Sequence, residues 1–382
     1  MSVLIIHETD FTHRVLYEYQ TLPSMLKLRG HNVYVLDYES LWEKDGHLIS
    51  PYKEIDIQRI YAPIHLIRPA FIKIPVLSRL SAFITHYFAI EKAIKEKKPD
   101  VIILYSVPTN GLQTVYLAHK YGIPVIFRSL DVLNQLVPPI FSGITKMLER
   151  YVYSNVDLVL AINKGLAQYT SKMGAKKVEI LPLGVDKQFQ PNIDATELKH
   201  KHGLHYKQVI LFVGTLYKFS GLDLLIKDFH RILKEFPDAR LLIVGDGTQR
   251  SKLESLIEEC WLKGKVIMVG QLSYDKLPQY INLSDVCIMP FQSCETTDDI
   301  IPSKVYQYLA CGKPVVSTKL KGMIEDGMGQ GILFNDNVVD GIIEVLKDGE
   351  DLGSEALEYV KRHDYDNVVK QLENIMLDIS RR

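Results

Sequence analysis

The chain has few cysteines and none in a metal-binding or redox pattern. Its 382 residues include 4 cysteines, which all fall in the C-terminal half and form no CxxC pair. This usage excludes a disulfide framework and a zinc site built on paired cysteines, and it predicts a reducing compartment.

Long apolar runs and a strong charge of one sign are also missing. No segment offers about 18 uncharged apolar residues, and the N-terminus lacks a basic region with an apolar signal core. We therefore expect neither a membrane span nor a secretion signal. The net charge of −1 conceals a basic N-terminal half, in which residues 1–185 carry 21 Lys and Arg against 16 Asp and Glu. No basic patch interleaved with aromatic residues accompanies this imbalance, so we expect no nucleic-acid binding.

Short apolar runs alternate with helical patterns along most of the chain, first up to residue 185 and again from residue 207. This alternation is typical of α/β domains with a parallel sheet covered by helices. The sequence predicts two doubly wound, Rossmann-like domains at 1–185 and 207–355, a linker at 186–206, and a final helix at 356–382 that needs a surface to cover.

Three predicted strands of the second half end in glycine, at Gly214, Gly245 and Gly270. Ligands bind at the carboxyl ends of strands in such sheets, where glycine lets the backbone approach them. Thr215 and Lys218 follow the first of these strands. Lys218 either neutralises a diphosphate or is a solvated loop lysine.

The segment DIIPSKVYQYLACGKPVVST, residues 299–318, predicts a loop, a short helix opened by Pro302, and a strand. The free N–H groups of a helix start can hold a phosphate. Ser303 and Lys304 fall in the first turn, and Gln307 shares a helical face with Lys304. The alternative is an ordinary helix-to-strand connection.

The order of these segments resembles that of the retaining family 4 glycosyltransferases, which have the GT-B fold. The resemblance covers nearly the whole chain and rests on KLRGHNVYVLD, LPLGVD, FVG…SGLDLLI, LLIVGDG, VIMVGQL, LSDVCIMPF and PSKVYQYLACGKPVV. It implies two Rossmann-like domains that face each other across a cleft, the first for the acceptor and the second for a nucleoside-diphosphate sugar.

The resemblance further implies retaining transfer from a UDP- or GDP-sugar to a glycan or lipid-linked acceptor. Neither a metal nor a cofactor is implied, because helix dipoles and basic side chains offset the charge of the diphosphate. Gln271 and Leu272 follow the third glycine-ended strand, where their backbone groups can contact a base. The final helix would cross back to the N-terminal domain.

The chain departs from the family pattern in the donor domain. The usual pair of glutamates, eight positions apart, is Asp299 and Gln307 here. Gln307 can still hydrogen-bond a ribose without charge assistance. Asp299 is shorter than glutamate, so Glu295 on the same loop competes with it for the sugar contact.

Two further departures concern charge and the acceptor side. Thr215 and Ser220 occupy the positions of a basic pair in the phosphate loop, which leaves Lys218 and Lys304 to supply positive charge. A His-Asp pair of the acceptor domain is Leu130-Asp131 here. Arg128 and Asp131 are then the candidates for the acceptor side of the sugar, with a helix cap as the alternative role of Asp131.

These departures leave two alternatives to an active transferase. The first is a binding or partner subunit that keeps the fold with weakened catalysis. The second is a sugar-nucleotide epimerase of the same two-domain shape.

Residues 57–90 contain no acidic residue, while Arg59, Arg68, Lys73 and Arg79 are interspersed with apolar ones. This composition indicates either a core helix with solvated arginines or a membrane-surface patch. We therefore expect a cytoplasmic protein, with peripheral contact to the inner face of the membrane as one interpretation.

Overall fold

A computed structural model of the protein describes residues 1–13, 16–39, 47–294, 297, 301–348 and 351–381. The chain forms two compact units: Met1–Leu183 with Asp366–Arg382, and Gly184–Tyr365. Each is an α/β layer structure in which buried apolar strands form the central sheet.

The first unit contains an eight-stranded sheet with the order β10–β9–β8–β7–β1–β2–β5–β4. All neighbours are parallel except β4 and β5. The strands of this unit, including a separate antiparallel pair of β3 with β6, are β1 (Ser2–Ile6), β2 (Asn32–Leu36), β3 (Ile49–Ser50), β4 (Lys53–Gln58), β5 (Pro63–Arg68), β6 (Phe71–Ile72), β7 (Val101–Leu104), β8 (Val125–Ser129), β9 (Leu158–Ala161) and β10 (Val178–Ile180).

The helices of the first unit cover both faces of this sheet. They are α1 (Glu18–Leu28), α2 (Leu77–Lys97), α3 (Gly111–Tyr121), α4 (Leu133–Leu136), α5 (Pro139–Asn155) and α6 (Lys164–Lys172). The chain adds β2 and β5 on one side of β1 and then β7, β8, β9 and β10 on the other, which makes the carboxyl ends of β1 and β7 the switch point of the sheet.

The second unit has a six-stranded parallel sheet with the order β13–β12–β11–β14–β15–β16. This is the Rossmann order 3-2-1-4-5-6, with its switch point between β11 and β14. The strands are β11 (Val209–Val213), β12 (Arg240–Val244), β13 (Val266–Gly270), β14 (Val286–Met289), β15 (Val315–Ser317) and β16 (Ile332–Phe334).

Helices connect these strands as expected for parallel neighbours. They are α7 (Thr196–His202), α8 (Leu222–Glu235), α9 (Arg250–Glu259), α10 (Leu277–Leu283), α11 (Ser303–Ala310), α12 (Lys321–Glu325), α13 (Val338–Asp348) and α14 (Leu352–Val360), with short 3₁₀ turns at Lys218–Ser220, Tyr274–Lys276 and Lys361–His363.

The unit boundaries differ from the predicted ones. Residues 186–206, expected as a linker, belong to the second unit and include α7. The segment expected as one final helix is divided into α14, a 3₁₀ turn and α15 (Tyr365–Ser380). Only residues from Asp366 onward join the first unit, where Glu373 accepts hydrogen bonds from Arg29 and His31 at 2.7 and 2.8 Å.

Candidate functional site

Glycine residues close the carboxyl ends of three neighbouring strands in the second unit. The Gly214 N–H donates to the carbonyl of Val244 at 2.9 Å, and the Gly245 N–H donates to that of Gly270 at 2.8 Å. A β-carbon at Gly245 would collide with the Gly214 carbonyl, and one at Gly214 would collide with Nζ of Lys304. Glycine is therefore required where these backbones and the lysine meet.

Lys304 lies in the first turn of α11, whose opposite face is anchored in the core. Val305, Tyr308 and Leu309 are fully buried there, as their spacing predicts. The Tyr308 hydroxyl also accepts a hydrogen bond at 2.8 Å from the N–H of Val213, at the end of β11. The helix start differs by one residue from the prediction, since Pro302 is the N-cap and Ser303 the first helical residue. In the described part of the chain no side chain caps this helix start, which leaves its first N–H groups available.

The Lys304 ammonium is half-buried between two aromatic rings. Nζ lies 5.7 Å from the ring centre of Phe212 and 5.3 Å from that of Phe291. Within the described ranges, no carboxylate lies within ion-pair distance of it. Its partial removal from water lowers the pKa of this ammonium to about 8. An anion bound here would supply the missing counter-charge.

Gln307 lies one turn further along α11 and faces the Tyr274 hydroxyl, as does Gln188. Burial, together with the nearby Asp186 carboxylate, raises the pKa of Tyr274. Asp186 is itself buried, and its Oδ1 accepts from the N–H of Gln188 at 3.0 Å. Its Oδ2 has no hydrogen-bond partner among the described residues. Gln307 thus belongs to a polar cluster in which Oδ2 of Asp186 can still accept a hydrogen bond.

The remaining predicted donor residues lie on loops at the same edge of the sheet. Thr215 and Lys218 follow β11 and are exposed, with Lys218 in the 3₁₀ turn. Gln271 and Leu272 follow β13, the first exposed and the second half-buried. The predicted sugar contacts Asp299 and Glu295 lie outside the described residues.

Arg128 was predicted to face the acceptor, but the structure places it in the interior of the first unit. It is 2% exposed and forms a bidentate ion pair with Glu18 of α1, at 2.7 and 2.6 Å. Its remaining donors reach the carbonyls of Leu181 and Pro182, at 2.6 and 3.3 Å. The ion pair raises the pKa of the guanidinium even though burial opposes its charge. Because these partners occupy its hydrogen-bond donors, Arg128 is not available for direct contact with an acceptor.

Asp131 differs from Arg128 in having no hydrogen-bond partner in the described part of the chain. It follows β8 and is half-buried, and burial raises the pKa of its carboxyl group. The pKa of the Tyr17 hydroxyl is raised mainly by the burial of Tyr17 and also by the negative charge of Asp131. The helix-cap role is not observed, because Val132 is the N-cap of α4. Asp131 therefore remains the candidate for acceptor contact.

Tyr274, Asp186 and Tyr17 are the site residues that the sequence did not identify. Tyr274 lies two residues beyond Leu272, and Asp186 closes the LPLGVD motif, which was used for the family resemblance without assigning a role to its aspartate. A search for polar residues next to the predicted strand ends would have included all but Tyr17.

Two family models together match most of the chain. The model described as Glycosyl transferases group 1 matches residues 194–363, and the model described as Glycosyltransferase Family 4 matches residues 21–189. Each match coincides with most of one structural unit.

Individual relatives are distant. The sulfoquinovosyl transferase of Arabidopsis thaliana is 24% identical over 328 residues, with 80% of this chain and 61% of that protein covered. The GDP-mannose-dependent alpha-(1-6)-phosphatidylinositol monomannoside mannosyltransferase of Mycolicibacterium smegmatis is 25% identical over 209 residues, with 53% and 52% covered. The chain thus spans about half to three fifths of the length of these curated relatives.

Among solved structures, Anabaena HepE in complex with UDP superimposes with a TM-score of 0.74 and 17% identity, over 99% of this chain and 100% of that one. The same protein has also been solved in complex with UDP-glucose. At this identity the likeness establishes a shared fold, which agrees with the two Rossmann-like sheets described above. The two family models, which match residues 21–189 and 194–363, together with this fold show that the chain belongs to the family 4 glycosyltransferases of the GT-B fold.

Proposed function

We propose that the protein transfers a sugar from a nucleoside-diphosphate sugar, bound by the second unit, to a glycan or lipid-linked acceptor. The observation that carries this proposal is the Lys304 ammonium, which has no counter-ion in the described ranges and lies beside Gly214 and an uncapped helix start. The UDP and UDP-glucose complexes of HepE support a UDP-sugar donor, whereas the mycobacterial relative supports a GDP-sugar.

The proposed reaction retains the anomeric configuration and needs no metal. The acceptor hydroxyl attacks the anomeric carbon from the face on which the diphosphate leaves. A new carbon–oxygen bond to the acceptor forms as the bond to the β-phosphate breaks, and the departing phosphate oxygen takes the hydroxyl proton. Lys304, Lys218 and the N–H groups at the start of α11 stabilise the charge that develops on the leaving group.

Two residues of the first unit take different parts in this proposal. Asp131 contacts the acceptor, since its half-buried carboxylate has no partner in the described chain. Arg128 is a positioning residue that holds Glu18 of α1 and the backbone at Leu181 and Pro182.

A binding or partner subunit with weakened catalysis is the second candidate. Gln307 faces Tyr274 where the family usually has a charged glutamate, and Leu130 replaces the usual histidine. Incubation with nucleotide sugars and acceptor extracts, followed by detection of released nucleotide, separates the two candidates. Binding without any release would favour the subunit.

Donor binding is tested first by thermal shift with UDP, GDP, ADP and CDP. A nucleotide at 100 times its dissociation constant adds about 2.7 kcal/mol of stability, which corresponds to several degrees in a domain of this size. We expect the shift in the unmodified protein and in Lys227→Ala, an exposed lysine of α8, and its loss in Lys304→Ala. If none of the four nucleotides raised the melting temperature, the proposed function would fail.

A further inference from the structure

Three helices of the first unit form one layer on the same face of its sheet. The crossovers from β5 to β7, β7 to β8 and β8 to β9 all run in one direction along the sheet. Right-handed connections therefore place α2, α3 and α5 together. In agreement, α3 packs against both of its neighbours.

The first three turns of α2 carry an apolar stripe that points away from the core. Leu77, Leu80, Ile84 and Phe88 recur at helical spacing and are all exposed, Ile84 to 62%. The buried face of α2 lies on the opposite side of the helix and includes Ala82, His86, Ala89 and Ala93. The exposed stripe is therefore distinct from the apolar face by which α2 packs on the core.

A second stripe of the same kind runs along α5. Ile140, Ile144, Met147 and Tyr151 are exposed, Ile140 to 84%, and lie opposite the buried residues Thr145, Glu149 and Val152. Between the two helices Tyr116 of α3 is also exposed. Next to it lies a groove of about 280 Å³, lined mainly by Phe83, Ile84, Tyr87, Phe88, Leu112 and Tyr116.

The exposed charge beside the two stripes is mainly positive, while the last turns of α2 carry Glu91, which pairs with Lys120 of α3 at 2.8 Å. Lys146 and Arg150 of α5 are exposed beside its stripe, and His119 and Lys120 are exposed on α3. The first three turns of α2 and the whole of α3 contain no carboxylate. Glu149, the only acidic residue of α5, is buried and accepts hydrogen bonds from Leu133 and Asn134 at 3.0 and 2.7 Å.

Two arginines of the segment 57–90 already have partners within the first unit. Arg68 is 5% exposed and pairs with Asp10 and Asp37 at 2.9 and 2.8 Å, so it is neither a solvated nor a lipid-facing arginine. Arg79 lies over the Tyr38 ring and 3.4 Å from Glu8. The surface of interest therefore includes only the helical part of that segment, and it extends to α3 and α5.

We propose that the outer face of α2, α3 and α5 docks on the surface of an anionic lipid bilayer. Large aliphatic and aromatic side chains enter the boundary between headgroups and acyl chains, and the exposed cations contact anionic headgroups. No helix among the described residues has the length and apolarity to cross a bilayer, so the contact is peripheral. The helices begin at the carboxyl edge of the sheet, so docking brings the bilayer near the edge that carries Asp131.

Vesicle co-sedimentation tests this inference without nucleotide or acceptor, so its result does not depend on the proposed donor site. We expect the protein to pellet with vesicles of phosphatidylcholine and phosphatidylserine, and much less with phosphatidylcholine alone. Ile140→Glu/Ile144→Glu should lower the partition coefficient at least tenfold. Each of Lys146→Gln and Arg150→Gln should lower it about fivefold.

The matched control is Leu224→Glu/Ile324→Glu, which places the same two charges on exposed apolar residues of α8 and α12 in the second unit. It should pellet like the unmodified protein, and circular dichroism should show all variants folded. An unmodified protein that stayed in the supernatant with anionic vesicles would overturn the inference. An equal loss of vesicle binding in the control would also overturn it. So would the absence of vesicle binding combined with a dimer, seen by sedimentation velocity, that Ile140→Glu/Ile144→Glu dissociates.

Discussion

The two sheets share the Rossmann strand order but differ in how the charges near their carboxyl edges are paired. In the first unit two buried arginines pair with buried carboxylates. Arg128 pairs with Glu18 at 2.6 Å, and Arg68 pairs with Asp10 and Asp37. Burial alone would raise the pKa of Asp10, yet hydrogen bonds from Thr12 and His13 and the charge of Arg68 hold it below its usual range.

In the second unit the main charge at the corresponding edge lacks such a partner in the described chain. Lys304 has two aromatic rings beside it and a lowered pKa. Breaking a buried ion pair by removing one partner is costly, whereas a partly buried charge that lacks a counter-ion is a candidate for binding a ligand. We therefore propose a structural role for the two paired arginines and a ligand-binding role for Lys304.

The largest expected effect comes from breaking the buried ion pair between Arg128 and Glu18 in the first unit. Arg128→Met removes the partner of Glu18 and leaves a buried carboxylate uncompensated, which should cost about 3–5 kcal/mol of stability. Urea unfolding followed by circular dichroism measures this loss. The double variant Glu18→Gln/Arg128→Met should recover part of it, because no buried charge is left unpaired. A stable Arg128→Met that had lost only transfer activity would instead make Arg128 a ligand contact.

A smaller loss is expected where the glycine ends of the second sheet meet. Gly245→Ala adds a β-carbon that collides with the Gly214 carbonyl, and it should cost about 1–3 kcal/mol. Gly143→Ala in α5, where nothing lies within 4 Å of the new carbon, should instead stabilise by up to about 1 kcal/mol. Thermal unfolding compares the two, and equal melting temperatures would contradict the close approach of the strand ends.

Local patterns predicted much of this architecture. The alternation of apolar runs predicted two Rossmann-like sheets, and the spacing of Val305, Tyr308 and Leu309 predicted the buried face of α11. These features depend on neighbours in sequence. The position of Pro302 was wrong by one residue, because helix ends depend on capping geometry that sequence signals locate only approximately.

Ion pairs between residues that lie far apart in the chain could not be predicted from the sequence. Glu18 lies 110 residues from Arg128, and Asp37 lies 31 from Arg68, so nothing local showed that these arginines were neutralised. The same limit applies to Gln307, whose neighbours Tyr274 and Asp186 come from distant segments. The sequence indicated which side chains carry charge, whereas only the fold shows which of them remain available.

The pH dependence of nucleotide binding tests the role proposed for the unpaired Lys304. With a pKa of about 8, Lys304 loses its charge as pH rises, while a bound anion favours the charged form. Affinity for the nucleotide that shifts the melting temperature should therefore be nearly full at pH 7.5, about twofold weaker at pH 8 and about tenfold weaker at pH 9. Isothermal titration between pH 7.5 and 9 measures it, with the terminal phosphate (pKa about 6) ionised throughout. Lys304→Arg keeps its charge and should flatten the profile, whereas an unchanged slope in that variant would assign the dependence to another group.

The smallest expected effect separates recognition of the nucleoside from that of the diphosphate. Gln307→Ala removes one neutral hydrogen-bonding side chain, worth about 0.5–1.5 kcal/mol, so nucleoside-diphosphate affinity should fall about fivefold. Inorganic pyrophosphate offers no ribose, and its affinity should not change, since Lys304 and the start of α11 are intact. Gln279→Ala, an exposed glutamine of α10, should alter neither affinity. If Gln307→Ala weakened both ligands equally, Gln307 would act by holding the helix start in place rather than by contacting the ribose. The neutral residue at this position would then carry no argument for weakened donor recognition.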